Sequence, residues 1–447
     1  MKLSTREIAQ VLACDIKDDQ RITALEFDSR KIKKGNLFVP LQGQRDGHEF
    51  IQQAQDNGAV ATLWSRQDLT PPKDLIVFNV TDTKKAFQKI AAYYRNKLNP
   101  KVVAITGSNG KTTTKDMTAA VLAQKYQTYK TQGNYNNELG LPYTILHMPD
   151  TTEVLVLEMG MDHAGDLTLL SAIGQPDVAA ITLIGEAHIE SLGSRAGIAQ
   201  GKMEITKGLK KDGSLFVPAE EALLEPLVEK IQQKVRTFGL EQGDIKAEIT
   251  ETDKEHTSFV IADTSFSIPV IGTYNVKNAL IAYGVGCYFN LTTTQIAAGL
   301  ASFHLTENRT QWLKAYNGAD LLSDVYNANP TAMALVLDSF QKLQLPGRKI
   351  AVLADMLELG PDSRKMHAQI APHIEPVFDE VYLYGTDMAA LQARLATCLV
   401  KVRYFKNDQK SELIRQLKAD LCSTDTIILK GSNAMGLEEV VQNLQKK

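Results

Sequence analysis

The chain has 447 residues, of which 44% are hydrophobic and 23% charged, and its formal net charge at pH 7 is −3. This length exceeds one ordinary hydrophobic core, so roughly two to four domains are expected. The small net charge argues against broad electrostatic binding to nucleic acid. No apolar run reaches membrane-spanning length, so we expect no membrane insertion.

The first residues, Met1–Leu12, carry charge every few positions, which predicts an amphipathic helix and not a signal peptide. The four cysteines are scattered without zinc or disulfide spacing, as is typical of a reducing cytosol. We therefore expect a cytoplasmic protein, and we expect it to be a monomer.

Residues 1–99 mix short predicted helices and strands around two polar segments, Asp28–Arg30 and Gly43–Phe50. A linker, Asn96–Pro100, follows them and ends in a residue that breaks helices. This predicts a small mixed α/β domain.

The most informative segment is Ile105–Thr114. It lies between a predicted buried strand, Lys101–Ala104, and a predicted helix, Lys115–Ala123. A glycine-rich turn in this place directs backbone N–H groups toward a bound phosphate. Lys111 can then reach terminal phosphates, and the Thr112 hydroxyl can bind Mg²⁺. The match is incomplete, since the segment begins with isoleucine where a full phosphate loop has glycine, so a plain structural turn is the alternative.

Strands and helices alternate after this loop, which predicts a mostly parallel sheet. The predicted strands are 101–106, 154–158, 178–183 and 214–217. Residues 247–270 predict antiparallel ribbons on the edge of that sheet, and residues 275–287 predict a helix.

Glu158 ends one predicted strand, at the edge where such sheets bind ligands. An oxygen ligand for Mg²⁺ is the expected role, and a local salt bridge is the alternative. His188 follows the next strand and points to the same crevice, although a lone histidine is more often structural. Lys202 lies in a predicted helix, Gly197–Thr206, whose periodicity alone makes it a solvated lysine. The amide-rich segment Asn134–Gly140 suits a substrate-facing loop or any turn.

From Thr310 the chain repeats strand and helix, which predicts a second doubly wound α/β unit without a dinucleotide fingerprint. Its predicted elements are 319–324, 330–343, 349–354, 363–373, 380–384, 387–396, 401–405, 410–420, 425–429 and 436–446. Asp324 could hold a ribose hydroxyl, and the amides of Asn327 and Asn329 could bind a polar substrate. Asn329 could also cap the helix that begins at Pro330, and both roles are compatible.

Taken together and in this order, the motifs resemble those of the Mur ligase family over nearly the whole chain. The segments that carry the resemblance are Asp28–Arg30, Asp46–His48, Thr106–Thr113, Leu157–Gly160, His188, Ala199–Ile205, Asn308–Arg309, Asp324–Pro330 and Ala354–Gly360. The phosphate loop is similar in all members and in folylpolyglutamate synthases. Tyr326–Pro330 and Ala354–Gly360 resemble the members that join D-alanyl-D-alanine to UDP-N-acetylmuramoyl-tripeptide.

The resemblance implies an α/β protein of three domains. These are a small mixed α/β domain that binds the UDP-sugar (1–99), a central P-loop-type ATPase domain with a mostly parallel sheet (100–309), and a doubly wound, Rossmann-like C-terminal domain (310–447). It also implies ATP, two Mg²⁺ ions, and a reaction in which the peptide carboxylate becomes an acyl-phosphate that the amine of D-alanyl-D-alanine attacks. This would be the last cytoplasmic step of peptidoglycan precursor synthesis.

Residue roles follow from the same resemblance. The implied catalytic residues are Lys111, Glu158, His188 and Lys202, and the implied metal ligands are Thr112, Glu158, His188 and a carbamylated Lys202. The expected nucleotide-binding residues are Gly107, Ser108, Asn109, Gly110, Lys111, Thr112, Thr113, Asn275, Asn278, Arg309 and Asp324. The candidate substrate residues are Ser29, Arg30, Asp46, Gly47, His48, Asn134, Asn137, Tyr326, Asn327 and Asn329.

Two positions depart from the family pattern. Tyr274 stands where the family often has histidine, and Asn433 stands where an arginine is common. The alternatives are a related ligase with another amine substrate, including a folylpolyglutamate synthase-like enzyme, or a nucleotide-binding scaffold with a degenerate site. The intact set of implied catalytic residues favours an enzyme. The sequence leaves open whether the acceptor peptide ends in lysine or diaminopimelate.

Overall fold

The computed structural model describes residues 1, 3–304, 309–374 and 377–446, so the family-like Asn308 lies outside the described residues. Three α/β units follow one another along the chain, each with its own sheet. No helix in these ranges is long and apolar enough to cross a bilayer.

The N-terminal unit contains a four-stranded parallel sheet and an antiparallel strand pair. Its strands are Leu3–Ser4 (β1), Arg21–Ile22 (β2), Leu25–Glu26 (β3), Leu37–Phe38 (β4), Ala61–Trp64 (β5) and Ile76–Asn79 (β6). Its helices are Thr5–Leu12 (α1), Ile51–Asp56 (α2) and Thr83–Leu98 (α3). The predicted N-terminal helix is confirmed from Thr5 onward, with a capping box between Ser4 and Glu7, whereas Leu3–Ser4 form a strand that was not predicted. The predicted linker begins too early, because α3 continues to Leu98 and ends at a left-handed Asn99 before Pro100.

The central unit contains a seven-stranded parallel sheet in the order β13-β12-β11-β10-β7-β9-β8. Its strands are Lys101–Thr106 (β7), Thr128–Lys130 (β8), Val154–Glu158 (β9), Val178–Ile181 (β10), Ser214–Pro218 (β11), Lys234–Gly239 (β12) and Ile245–Lys246 (β13). All pairs are parallel, so the carboxyl ends of β7, β9 and β10 meet at one edge. The parallel sheet and its four predicted strands are confirmed, although β10 ends before residue 183.

Helices cover both faces of this sheet. They are Lys111–Leu122 (α4), Gly140–His147 (α5), Asp166–Gly174 (α6), Ile189–Leu192 (α7), Arg195–Met203 (α8), Glu225–Val228 (α9), Thr273–Tyr288 (α10) and Thr293–Ser302 (α11). One hydrophobic core continues from the N-terminal unit onto one face of the sheet, and a second core lies under α4, α10 and α11. The N-terminal unit therefore packs directly against the catalytic sheet.

The predicted antiparallel ribbons exist, but they are not an edge of the large sheet. They form a separate three-stranded sheet of Glu248–Thr252 (β14), Thr257–Ile261 (β15) and Thr264–Ile268 (β16). Phe259, Phe266 and Ile268 are buried in the second core. The alternating pattern predicted strands correctly, but it could not show which sheet they join.

The third unit contains a six-stranded sheet in the order β17-β18-β22-β19-β20-β21, parallel except at β17. Its strands are Gln311–Lys314 (β17), Asp320–Asp324 (β18), Lys349–Ala354 (β19), Glu380–Tyr384 (β20), Lys401–Phe405 (β21) and Thr426–Lys430 (β22). Its helices are Pro330–Gln341 (α12), Ser363–Ala368 (α13), Met388–Leu395 (α14), Lys410–Asp420 (α15) and Leu437–Gln445 (α16). The doubly wound unit is confirmed. The edge strand β17 was missed, and the predicted helix 363–373 ends early because Pro372 lacks the N–H that would continue it.

Candidate active site

The phosphate loop joins the central strand β7 to α4. The helix begins at Lys111, four residues before the predicted start, so Lys111, Thr112 and Thr113 form its first turn. A Cβ on Gly107 would lie 1.8 Å from the Thr182 hydroxyl, so only glycine fits there. The backbone of Gly110 is left-handed, with φ of 81°, and no side chain caps α4 at this position. The first N–H groups of the helix are therefore available to a phosphate.

Lys111 folds back over this loop. Its Nζ donates to the carbonyl of Gly107 at 2.8 Å. Burial lowers the pKa of Lys111, and the nearby Arg309 cation lowers it further. The negative charge of Glu158 raises this pKa but does not outweigh burial. The amine therefore lies among several charges at the edge of the sheet, where it can reach a bound anion.

Glu158 ends β9, next to the phosphate-loop strand, and is 2% exposed. Its Oε1 accepts a hydrogen bond from the Asn136 side chain at 2.8 Å. Its Oε2 is buried and has no hydrogen-bond partner among the described residues. The alternative of a local salt bridge is wrong, since Glu158 forms none with the residues that the structure describes. A buried carboxylate oxygen without a partner fits a hard cation such as Mg²⁺.

Lys202 lies in α8 and is 1% exposed, so the expectation of a solvated lysine is wrong. The neighbouring Gly201 of the same helix packs closely against Met161. Burial, together with the charge of Lys111, holds the pKa of Lys202 well below its usual range. In the described part of the chain, its amine has no hydrogen bond or ion pair. Burial therefore makes the neutral amine more accessible to Lys202 than to a solvated lysine.

His188 follows β10 with a left-handed backbone, at φ of 60°. Its Nδ1 lies 2.8 Å from Glu358 Oε2 and 3.5 Å from Asp162 Oδ1. Burial lowers the pKa of His188 despite these carboxylates, and the cations of Lys111 and Lys202 lower it further. The implied catalytic residues Lys111, Glu158, His188 and Lys202 thus belong to one electrostatic cluster.

A cavity between the central and third units opens beside this cluster. The residues lining it include Asn109, Gly110, Thr113, Tyr274, Asn278, Arg309, Thr310, Asp324, Asn327 and Lys430. The guanidinium of Arg309 lies 4.2 Å from the centre of the Tyr326 ring, and its buried Nε has no partner among the described residues. The cavity therefore collects most of the predicted nucleotide-binding residues.

Several of these side chains also hold the cavity wall together. Asp324 accepts a hydrogen bond from Lys430 Nζ at 2.6 Å. The amide of Asn275 bonds the carbonyl of Ile271 and accepts from Asn278 at 3.1 Å, so both asparagines fix the start of α10. Sequence reasoning did not assign Lys430 a role, although it lies at the carboxyl end of β22.

Polar contacts also tie the third unit to the phosphate loop. Asn329 caps α12, as predicted, and its Nδ2 donates to Asn109 Oδ1 at 2.5 Å. The Glu186 carboxylate accepts from the N–H and the hydroxyl of Thr331, at 2.9 and 2.8 Å. Ser108 donates to the carbonyl of Gly185 at 3.1 Å. The loop, the strand end and the third unit therefore meet in one place.

The predicted substrate residues of the N-terminal unit are arranged differently. His48 is buried, with Nδ1 2.7 Å from Asp46 and Nε2 accepting from the Ser65 N–H at 3.3 Å. Gly47 fits closely under Leu41, where a Cβ would meet backbone atoms at 2.5 Å. Both ring nitrogens of His48 therefore have partners within the protein.

Two further candidates of this unit lie nearby. Ser29 is buried and donates to Gln53 at 2.6 Å. Arg30 is exposed beside Asp28.

The loop at 134–140 contains one residue that sequence reasoning missed. Asn137 accepts from the N–H groups of Leu139 and Gly140 and so orders the start of α5, while Asn134 is exposed. Asn136, between them, holds Glu158. Its only signal in the sequence was its position in an amide-rich loop.

Asn433, which stands where the family commonly has arginine, is exposed beyond β22.

Comparisons with known proteins match Mur ligases along nearly the whole chain. Family models match residues 21–105 (Mur ligase family, catalytic domain), 105–286 (Mur ligase middle domain) and 308–433 (Mur ligase, glutamate ligase domain). The UDP-N-acetylmuramoyl-tripeptide–D-alanyl-D-alanine ligase of Bacillus subtilis is 38% identical over 99% of this chain and 98% of its own.

Two solved structures are also similar. MurF from Acinetobacter baumannii has a TM-score of 0.91 at 27% identity, covering 100% of this chain and 99% of that one. The MurF ligase from Thermotoga maritima in complex with ADP has a TM-score of 0.84 at 28% identity, covering 95% and 97%. The chain belongs to the Mur ligase family.

Proposed function

We propose that this protein joins D-alanyl-D-alanine to UDP-N-acetylmuramoyl-tripeptide with the energy of ATP, as the Bacillus subtilis relative's name describes for that enzyme. As a Mur ligase it belongs to peptidoglycan synthesis. The observation that carries the proposal is the cluster of Lys111, Glu158, His188 and Lys202 at the phosphate loop, with one buried carboxylate oxygen left without a partner. A degenerate nucleotide-binding scaffold would not need this set.

The first step needs negative charge to be offset at the γ-phosphate. Lys111 and the N–H groups of α4 bind and orient the phosphates and stabilise the charge that develops during transfer to the peptide carboxylate. The amine of the dipeptide then attacks the resulting acyl-phosphate, forming the amide and releasing phosphate. Nucleoside contacts are proposed for the cavity lined by Tyr274, Asn278 and Asp324.

Two metal positions are part of the proposal. Thr112 and Glu158 would hold one Mg²⁺, because a hard cation prefers such oxygen ligands. His188 and a carbamylated Lys202 would hold the second. The neutral amine of Lys202 can add to CO₂ and lose a proton, which turns a buried amine into an anion. Bound Mg²⁺ would supply further positive charge at the phosphates.

The remaining assignments are also proposals. We propose domain limits of 1–99, 100–309 and 310–447, a cytoplasmic location and a monomeric state. Tyr326, Asn327 and Asn329 are proposed to face substrate from the third unit. Ser29 and Arg30 are proposed to bind the UDP end, and Asn134 and Asn137 to face the acceptor peptide. Asp46–His48 are proposed to shape the UDP end of the site through their internal bonds, without bonding the ligand themselves.

The test is phosphate release in the presence of ATP, Mg²⁺ and UDP-N-acetylmuramoyl-tripeptide. We expect release to require D-alanyl-D-alanine, and the product to gain the mass of the dipeptide less one water. Single amino acids, including glutamate, serve as the controls. Release that required glutamate or another amino acid instead would indicate a related ligase with a different amine substrate. Parallel assays with lysine- and diaminopimelate-containing acceptors identify the third residue.

A further inference from the structure

The segment Ala354–Gly360 of the third unit reaches across to the central unit at His188. Glu358 Oε2 lies 2.8 Å from His188 Nδ1, and the Glu358 carbonyl accepts the Glu190 N–H at 3.2 Å. Gly360 lies over the same residue, where an added Cβ would be 3.7 Å from the Glu190 backbone. The segment therefore contacts α7 and the catalytic cluster together.

Hydrogen bonds within the third unit hold this segment in place. The Asp355 carboxylate accepts N–H groups at the start of α14, including that of Met388 at 2.9 Å. The fully buried His367 accepts the Met356 N–H at 2.9 Å. The Ser432 hydroxyl accepts the Leu357 N–H at 2.9 Å. The three residues before Glu358 are thus fixed, so its position follows the third unit as a rigid body.

Both members of the contact have unusual backbones. Glu358 has φ of 62° and His188 has φ of 60°, in the left-handed region that residues other than glycine rarely adopt. Such strained residues cluster at functional sites, where surrounding contacts hold them in place. Here two of them meet across a domain boundary through their side chains.

We propose that Glu358 is a positioning residue for the ligase reaction, supplied by the third unit to His188 in the central unit. Its carboxylate accepts the Nδ1–H of His188 and so leaves Nε2 without a proton. A histidine that binds a metal through one nitrogen commonly donates the other N–H to a carboxylate, which fixes the tautomer and the ring orientation. The contact exists only while the third unit lies against the central unit, so closure and the arrangement of His188 are coupled.

One competing carboxylate belongs to the central unit. Asp162 Oδ1 lies 3.5 Å from His188 Nδ1, longer than a normal hydrogen bond, whereas Glu358 is within range. If Asp162 were the partner, His188 would be arranged without closure. Variants of the two carboxylates separate these cases.

The first test reads the tautomer of His188 directly and does not depend on the proposed function. The full-length protein is labelled with ¹⁵N-histidine, saturated with Mg²⁺ and a non-hydrolysable ATP analogue, and the His188 signals are assigned with His188→Asn. We expect the Nδ1–H tautomer in the wild type and a mixture in Glu358→Ala. Glu358→Gln, which keeps an acceptor oxygen, should restore the wild-type pattern in part. Asp362→Ala, an exposed carboxylate two residues beyond this segment, is the control and should leave the pattern unchanged.

The second test is kinetic and rests on the proposed function. Glu358→Ala should lower kcat by about tenfold to a hundredfold, the usual cost of losing such a supporting carboxylate, with little change in KM for ATP. Adding Glu358→Ala to His188→Asn should cause no further loss, because the two side chains act as a unit. Multiplicative losses, or a tautomer that changes only in Asp162→Asn, would overturn the proposal. If the wild type releases no phosphate with the dipeptide, the proposed ligase function has failed, and the tautomer measurement still decides the contact.

Discussion

The phosphate-loop site and the N-terminal unit differ in how many of their buried polar atoms have hydrogen-bond partners within the protein. Within the described ranges, the buried charged-group atoms that lack a hydrogen-bond partner are Glu158 Oε2 and Arg309 Nε. Both lie at the cleft between the central and third units. Asp46 and His48 in the N-terminal unit bond to each other, and His48 also bonds the backbone of Ser65.

This difference separates binding from folding. An unpaired buried charge or donor costs stability, so it is retained where a ligand completes its bonds. A buried polar group whose partners are all internal stabilises the fold and has little left to offer a ligand. We therefore expect substitutions at the loop to affect activity more than stability, and substitutions at His48 to do the reverse.

Lys202 gives the largest expected effect. Lys202→Arg and Lys202→Ala should each lose activity by roughly a hundredfold or more, the scale of losing a group that stabilises developing charge. Guanidinium cannot be carbamylated, so arginine does not substitute. Added acetate or formate should restore part of the activity of Lys202→Ala by replacing the missing anion. Full turnover by Lys202→Arg would rule out the carbamate.

The same residue predicts a pH-dependent stability. The pKa of Lys202 is lower in the folded protein than in the unfolded chain, so the unfolded chain binds more protons and stability rises with pH toward the unfolded value of about 10.4. Lys202→Met removes the contribution of this amine to the pH dependence of the free energy of unfolding. In the metal-free protein it should raise Tm at pH 7, and the advantage should shrink as the pH rises to 9. Melting curves of the two proteins across that range measure it.

Lys111→Ala should reduce turnover by roughly 10²–10³-fold, since one preorganised donor to developing charge is lost. Its Tm should stay near that of the wild type, because the only hydrogen bond of the amine in the described structure is to the Gly107 carbonyl. Steady-state phosphate release and a melting curve measure both. The exposed Lys211→Ala is the control. Near-normal turnover would remove the phosphate loop from the mechanism.

Glu158→Gln keeps the shape of the side chain but loses the charge that a hard cation prefers. The Mg²⁺ concentration for half-maximal activity should rise by about tenfold or more, on the scale seen when metal sites lose supporting groups. Titration of activity with Mg²⁺ gives this value, and Asp362→Asn provides a control for the loss of one carboxylate. A lower Tm with an unchanged Mg²⁺ requirement would make Glu158 a structural residue.

Local patterns in the sequence predicted most of the fold. The apolar runs of β7, β9 and β10 and the cap of α12 depend on neighbouring residues, so their positions could be found without a structure. Errors arose where distant contacts decide. The antiparallel strands could not be assigned to a sheet. The misplaced end of α3 is a smaller, local error of about one helical turn, at Asn99 before Pro100.

The site shows the same limit. Glu158 and the phosphate loop follow from strand ends, which are visible in sequence. Lys202 appeared solvated, because helix periodicity does not show that tertiary packing covers this position. Glu358 could not be connected to His188 at all, because the two follow strands of different sheets and meet only where the third unit packs on the central one.

His48 carries the smallest expected effect on activity and the clearest test of the difference between the phosphate loop and the N-terminal unit. His48→Gln should lose the paired bonds to Asp46 and Ser65, which costs about 1–3 kcal/mol of unfolding free energy, because a buried partner is left unsatisfied. The KM for the UDP-linked substrate should barely change. Arg30→Ala is the matched comparison in the same unit. Its side chain is exposed beside Asp28, so it should leave the denaturant midpoint almost unchanged and raise that KM if Arg30 binds the substrate. A raised KM with unchanged stability in His48→Gln would show that an internally satisfied histidine still binds ligand, and the rule that separates the two regions would fail.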